Sequence, residues 1–441
     1  MEKPTMYLGG VTEDIQMELE NKFHFKTDKL PVHYLGLPLT TKSMNTTDYQ
    51  PLIETIRTRI GSWKNQYLSY AGRLELLGSV IWNISSVWLS AFRLPKACIR
   101  EIDKICSVFL WSGSDLNPRK AKLCWEEVCR PREEGGLGLR SLKDMNNVTV
   151  LKLFGVRGLA PEFCKVEVYN GKGASFWYDQ WSPLGCLMDM LGTRGQIYTR
   201  IRQHDTVHTA RTKRRRRVHR SAGLIQIENQ LQSLSRSEEE DVVLWKGKQD
   251  IYKDQFLTSE TWNHIRTKKE KVSWHRGIWF THATPKHRFC TWLAIRNWLT
   301  MGDKMVTWNA GIDGTCVLCM QQLETRNHLF FGCDYSSSLW YKLMNVFMGN
   351  GYSEEWIDVV LFIQKPNLDR TRSFLVRYVF QSTIYMIWHE RNCRRHDERP
   401  RSPEVLFAMI DRLVKNRIMS IRAQDMRLDC AFQLWIGAVQ A

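Results

Sequence analysis

The sequence predicts a mainly α protein with one small β-hairpin, and three observations predict it. Apolar residues recur at three- and four-residue steps from Pro51 to Phe109 and again beyond Thr284. One short stretch near residue 170 alternates at two-residue steps instead. Pro95, Gly302 and Pro403 fall where periodic runs stop or start, as helix ends require.

From Pro51, the side chains of Ile53, Ile56, Ile60, Trp63 and Tyr67 share one helical face, and Leu74, Leu77, Ile81, Ile84 and Trp88 repeat the pattern. Pro95 stops the second helix because proline has no N–H to give and crowds the preceding turn. Ile99, Ile102, Cys106 and Phe109 mark a third. The glycines in EEGGLGLRSL, Glu133 to Leu142, do not make a G-x-G-x-x-G cradle and follow charge rather than a strand, so they read as a loop. Val166 and Val168 then alternate with charged residues, Asn170-Gly171 supplies a tight hairpin turn, and Phe176 and Tyr178 alternate again. Residues 200–241 lose both periods and read as a basic, then acidic, linker. Thr284 and Pro285 suit a helix cap and first turn, followed by Phe289, Trp292, Leu293, Arg296 and Leu299 up to Gly302. Leu375, Tyr378, Ser382, Tyr385 and Trp388 suit another helix, and Ser402-Pro403-Glu404 opens a last one with Leu406, Ile410 and Leu413 inside.

Charge narrows the function. Lys plus Arg exceed Asp plus Glu by 17 over 441 residues, which favours polyanionic partners over an inert basic surface or an acidic membrane. Residues 200–222 alone hold nine Lys or Arg against one Asp. The apolar stretches Val80 to Phe92 and Ser373 to Trp388 are interrupted before about 18 positions, so no membrane span is expected. Twelve cysteines are too sparse for a disulfide framework, and MEKPTMYLGGVTED has no secretory pattern. The expected location is the nucleus or cytoplasm, and not outside the cell.

Cys316, Cys319, His328 and Cys333 form C-x2-C-x8-H-x4-C. Three thiolates and an imidazole within 18 residues suit tetrahedral zinc, and a set of four protein ligands leaves no position for water or substrate. One structural zinc ion per chain is expected, against the alternative of three core cysteines and a surface histidine. Cys98, Cys106, Cys124 and Cys129 lack a nearby histidine and read as buried apolar thiols.

Five segments, HYLGLPL, SWKNQYLSYAGRLELLGSV, FLWSG, CWEEVCRPREEGGLGLRSL and GKGASFWYDQWSPLG, resemble the region that follows the polymerase palm in plant LINE-type (non-LTR) retrotransposon reverse transcriptases. TPKHRFCTWLAIRNWLTMGDKM, TCVLC and ETRNHLFFGC resemble the zinc-binding domain on the C-terminal side of those enzymes, and IWHERNCRRH is similar to their tail. The resemblance implies a thumb- or connector-like helical region over 1–150 and a hairpin-containing segment over 151–199. It implies the linker over 200–241, the zinc-binding domain over 242–350 and C-terminal helices over 351–441. The family's DNA synthesis depends on palm aspartates that hold two metal ions, including an aromatic-x-Asp-Asp motif. This chain has no adjacent Asp pair, so the resemblance implies a non-catalytic part that begins past the palm. Two departures from the family are visible. Several dozen residues common before segments like CKVEVYNGKGASFW are missing, and Met320 follows the second zinc cysteine where the family often has Gly. A position needing positive φ would strain a methionine there.

The expected partner is therefore RNA or DNA, bound with little sequence selectivity. Candidate contacts are Arg211, Lys213, Arg214, Arg215, Arg216, Arg217 and Arg220, in a run that also reads as a signal for a nuclear import receptor or as a solvated charge block. Trp308 is the candidate for base stacking, whereas Trp63, Trp88 and Trp292 lie on apolar helix faces and read as core. A zinc-stabilised protein-interaction module, or a retroelement relic without function, are the alternatives.

Overall fold

The computed structural model describes all residues except 1–4, 9–10, 24–25, 29–31, 35, 40–43, 64–67, 114–115, 118–122, 155–162, 213–220, 235–236, 310, 366, 423, 426–427, 429 and 441. The protein is mainly helical with a few short strands, as expected. It divides into two compact units. The first comprises Met1–Thr55, Asn83–Ile102 and Arg140–Lys268, and the second Ile56–Trp82, Asp103–Leu139 and Lys269–Ala441.

The helices read from periodicity form. Thr46–Gly61 starts with a reciprocal cap: Asn45 Oδ1 accepts the N–H groups of Thr47 and Asp48, while the Asn45 N–H donates to the Asp48 carboxylate at 2.7 Å. Leu52, Ile53, Ile56 and Ile60 are buried along it; Tyr67 lies outside the described residues. The second pattern becomes Tyr70–Leu76, a π-turn at Leu77–Ile81, and Trp82–Ala91. This stretch is long and apolar enough to cross a bilayer by length and composition alone, but it buries Leu74, Leu77, Ile81, Trp88 and Leu89 in the protein. The third helix, Lys96–Ser112, follows Pro95.

In the first unit, the core gathers Phe176, Trp177, Leu187, Ile201, Val207 and Leu224. Two expectations change here. The strand Cys164–Glu167 forms, but its antiparallel partner is Val242–Lys246, which also pairs with Tyr252–Lys253, and not the segment around Phe176. Gly171 does take a positive φ, +72°, yet the turn it makes wraps around Asp241. One Asp241 carboxylate oxygen accepts the N–H groups of Tyr169 and Gly171, both at 2.8 Å, and the other accepts those of Gly173 and Ala174, both at 3.0 Å. Four aligned N–H groups form a cradle for an anion, and a side chain of the same chain fills it. Residues 200–241 are likewise more than a linker. They hold helices Val207–Thr212 and Ala222–Ser233, whose Val207, Ala210, Leu224, Ile227 and Leu231 belong to that core. The acidic end carries Asp241, which a reading by charge alone could not separate from Glu238 to Glu240.

The second unit is built on the helix Arg370–Arg395, capped by Asp369, whose carboxylate accepts the Arg372 N–H at 2.9 Å. Phe374, Leu375, Tyr378, Val379, Phe380, Ile384 and Ile387 are all buried along it, and it packs against Pro285–Ile295, Asp334–Met348, Trp356–Gln364, Pro403–Arg422 and Ala431–Gln440. A helix apolar on so many sides must be central. Thr284 and Pro285 do open Pro285–Ile295, but the threonine hydroxyl bonds to the Tyr378 hydroxyl at 3.0 Å rather than to its own helix. Gly302 begins a further helix, Gly302–Trp308. A Cβ there would lie 2.2 Å from the Gly314 carbonyl oxygen, so only glycine lets that helix approach the cysteine segment so closely.

Candidate metal centre

Between Gly314 and Glu324 the chain doubles back on itself. Thr315 bridges Leu323, the Cys316 N–H donates to the Gln322 carbonyl at 2.7 Å, and the Met320 N–H donates to the Cys316 carbonyl at 2.8 Å. This knuckle places Cys316 and Cys319 side by side. It also forces Met320 to a φ of +57°, a conformation that glycine adopts freely and a residue with a Cβ does not.

His328 and Cys333 come from the other side. His328 opens a π-turn, His328–Gly332, that drives Leu329, Phe330 and Phe331 fully into the core. Phe331 lies 4.8 Å from Trp340 and 6.2 Å from Phe380 between ring centroids. Cys333 precedes the first residue of Asp334–Met348, and its carbonyl accepts the Ser337 N–H at 2.8 Å. The histidine and the last cysteine are thus fixed by aromatic packing and a helix start.

The four donor atoms lie within 4.8 Å of one another, with Cys319 Sγ and His328 Nε2 3.2 Å apart. Zn–S bonds near 2.3 Å in a tetrahedron require sulfurs about 3.8 Å apart, so the group fits one zinc ion after a small contraction. Cys316, Cys333 and His328 are buried and Cys319 is half-buried. The Cys316 thiol is held well below its ordinary pKa, because the Cys333 thiol donates to it and the backbone N–H groups of Cys319 and Leu318 point at it. The Cys333 thiol is correspondingly raised. A thiolate already favoured at one ligand is the form that a metal needs.

A buried charge frame surrounds the knuckle, and the sequence reading missed it. Glu324, fully buried, receives Arg391 Nη2 at 2.6 Å and the Gly302 N–H at 2.9 Å. Arg394 donates to the carbonyls of Val317 and Leu318, at 3.3 and 3.2 Å, between the first two cysteines, and pairs with the buried Glu390 at 2.9 Å. Arg401 also meets Glu390, at 3.2 Å. The segment HERNCRR is therefore a clamp. Through Arg394 it fixes the backbone between the first two cysteines, the support that lies just outside a metal's own ligands. The available signal was the Glu390 and Arg394 spacing of four on one helix, a pair that reads equally well as surface charge.

The nucleic-acid candidates are more scattered. Arg211 closes the helix Val207–Thr212 and donates to the Leu234 carbonyl at 3.4 Å. Lys213, Arg214, Arg215, Arg216, Arg217 and Arg220 lie outside the described residues. Trp308 ends its helix with 69% of its surface exposed; Trp88 and Trp292 are buried as expected, whereas Trp63, also expected in the core, is only half-buried. Arg211 belongs to the first unit and Trp308 to the second.

Residues 256–340, which contain all four donors, match the family described as zinc-binding in reverse transcriptase. A protein of Arabidopsis thaliana whose name refers to ribonuclease H is 30% identical over 117 residues, which cover 26% of this chain and 19% of that protein. The match thus spans about a fifth of the relative's length. Together with the Cys3His geometry, these similarities identify a zinc-binding segment of the reverse-transcriptase kind in a retrotransposon-related protein.

Proposed function

We propose that the chain is the non-catalytic C-terminal part of a plant LINE-type reverse transcriptase, and that it holds template RNA or the primer duplex through basic surfaces on a zinc-stabilised frame. The observation that carries this reading is the convergence of Cys316, Cys319, His328 and Cys333 inside the segment similar to the reverse-transcriptase zinc-binding domain. An excess of 17 basic residues in the same chain supports the choice of a polyanion as partner. The zinc ion would be structural: four protein donors leave it nothing to activate. The chain itself has no Asp-Asp pair for a two-metal polymerase site, and nuclear entry through the arginine run belongs to the same reading.

Fluorescence anisotropy with labelled RNA, DNA and hybrid duplexes over a range of salt tests it. Binding should vary little with sequence and fall steeply as salt rises. Replacing Arg214 to Arg217 by Ala should weaken binding to every probe and flatten the salt dependence by roughly three units of slope. Salt-independent binding, or none, would refute the proposal. In the second case the protein-interaction reading gains ground, because Ile357 and Leu361 are exposed one turn apart on the helix Trp356–Gln364.

A further inference from the structure

A groove of about 330 Å³ opens in the second unit where the start of Tyr70–Leu76, the helix Pro285–Ile295 and the last turns of Arg370–Arg395 meet. None of the four metal donors lines it. Its floor is aromatic: Tyr70, Phe289, Tyr385 and Trp388. Its rim carries Lys286, His389 and His396, all exposed. From this geometry we infer that the groove takes one base of a single-stranded nucleic acid on its aromatic floor, with the adjoining phosphate against the Lys286 ammonium. The inference rests on the nucleic-acid reading above and names a site for it.

Each ring of the floor has a packing partner. Tyr70 lies nearly parallel to Phe289, with centroids 5.4 Å apart and planes at 10°. The buried His287 stacks on Tyr385 at 4.5 Å. The Arg391 guanidinium, locked to Glu324, covers Trp388 at 4.8 Å. Tyr385 and Trp388 are nevertheless only half-buried, so each ring keeps accessible surface. Preordered aromatic faces bind bases of any identity.

The rim decides the chemistry. Lys286 holds its ammonium 4.9 Å from the Tyr385 ring centre and forms no ion pair with a described residue, so its charge is available. His389 uses Nδ1 towards the Cys393 sulfur, at 3.4 Å. The acid at this site, Glu398, sits beside the Cys393 thiol, which hydrogen-bonds to it. A planar aromatic floor with a lysine at its edge fits a nucleotide better than an aliphatic peptide or a lipid chain, and the volume lies at the small end of the ligand-site range, about 300–1,000 Å³.

The test uses the full chain, a fluorescein-labelled oligouridylate and the same strand in a duplex. Trp388→Ala and Lys286→Glu should each weaken binding of the single strand about tenfold or more, with duplex binding little changed. Trp388→Phe, which keeps a stacking face, should restore most of the affinity and controls for folding. In parallel, a 4-thiouridine probe irradiated on the wild-type chain should crosslink to peptides containing Tyr385 or Trp388. Wild-type binding that survives these substitutions, or crosslinks confined to other peptides, would overturn the groove while leaving the proposed function standing. If the wild-type chain bound no nucleic acid at all, both would fall together.

Discussion

Met320 shows how much of this site rests on single residues. Its φ of +57° places a side chain where glycine is at ease, and a non-glycine residue there costs about 1 kcal/mol. The side chain is 70% exposed and contributes little packing in return. Met320→Gly should therefore raise the stability of the zinc-loaded chain by about 0.5–1 kcal/mol, read as a shift in the denaturant midpoint. An unchanged or lower midpoint would mean that the knuckle relaxes around methionine at no cost. The departure was legible in the sequence as a methionine after C-x2-C; whether that position needed positive φ became clear only when the return to Leu323 was seen. His287 is a second case. Burial, aided by the charges of Lys286 and Arg417, pushes its pKa down to about 3. A lowered pKa means that the unfolded chain takes up the proton first. The neutral imidazole is therefore compatible with the fold above about pH 6.5, and stability falls as pH drops from there towards 3, by up to about 1.4 kcal/mol per pH unit for this one proton. Chemical denaturation at pH 7 and pH 5 should show the loss, and His287→Gln should reduce the difference between the two. An equal difference in the variant would assign the acid sensitivity to other groups.

At the scale of elements, the helices were legible and the strand partners were not. Ile53, Ile56 and Ile60, or Leu375, Tyr378 and Tyr385, declare a helix because the pattern is local and repeats. The partner of Cys164–Glu167 lies beyond several helices, at Val242–Lys246, and no local signal separates that pairing from a hairpin at Asn170-Gly171. Asp241 was hidden for the same reason, since its ligands are backbone N–H groups that any residue type supplies. The clamp on the knuckle is the element whose energetics matter most. Glu324 and Arg391 are both buried, so removing one partner leaves a charge without compensation. Glu324→Gln should cost about 3–5 kcal/mol and speed zinc loss to a chelator. The exposed pair Lys342 and Glu404 serves as the comparison: Glu404→Gln should change stability by less than about 1 kcal/mol. Equal effects at the two sites, measured by urea denaturation and by zinc release to a chromogenic chelator, would show that the clamp is not what holds the knuckle.

For the whole molecule, the four metal donors were readable from spacing alone, because a zinc site concentrates its chemistry in a few residues. The surfaces proposed to meet nucleic acid were readable only as charge. The structure ties the two halves of the donor set to different supports. His328 and Cys333 hang from a turn whose Leu329, Phe330 and Phe331 are fully buried, whereas Cys316 and Cys319 sit on a knuckle held by backbone hydrogen bonds and by Arg391 and Arg394. Loss of metal should therefore loosen the knuckle far more than the aromatic turn.

Zinc content and limited proteolysis of the full chain, with and without a chelator, test the central claim most directly. The account predicts one zinc ion per chain, lost in Cys319→Ser and His328→Ala, with new cleavage between Thr315 and Asn327 once the ion is removed and continued protection of the helix Asp334–Met348. A chain that carries no zinc yet resists protease equally across that segment would contradict it, and would return Cys316, Cys319, His328 and Cys333 to the role of ordinary core and surface residues.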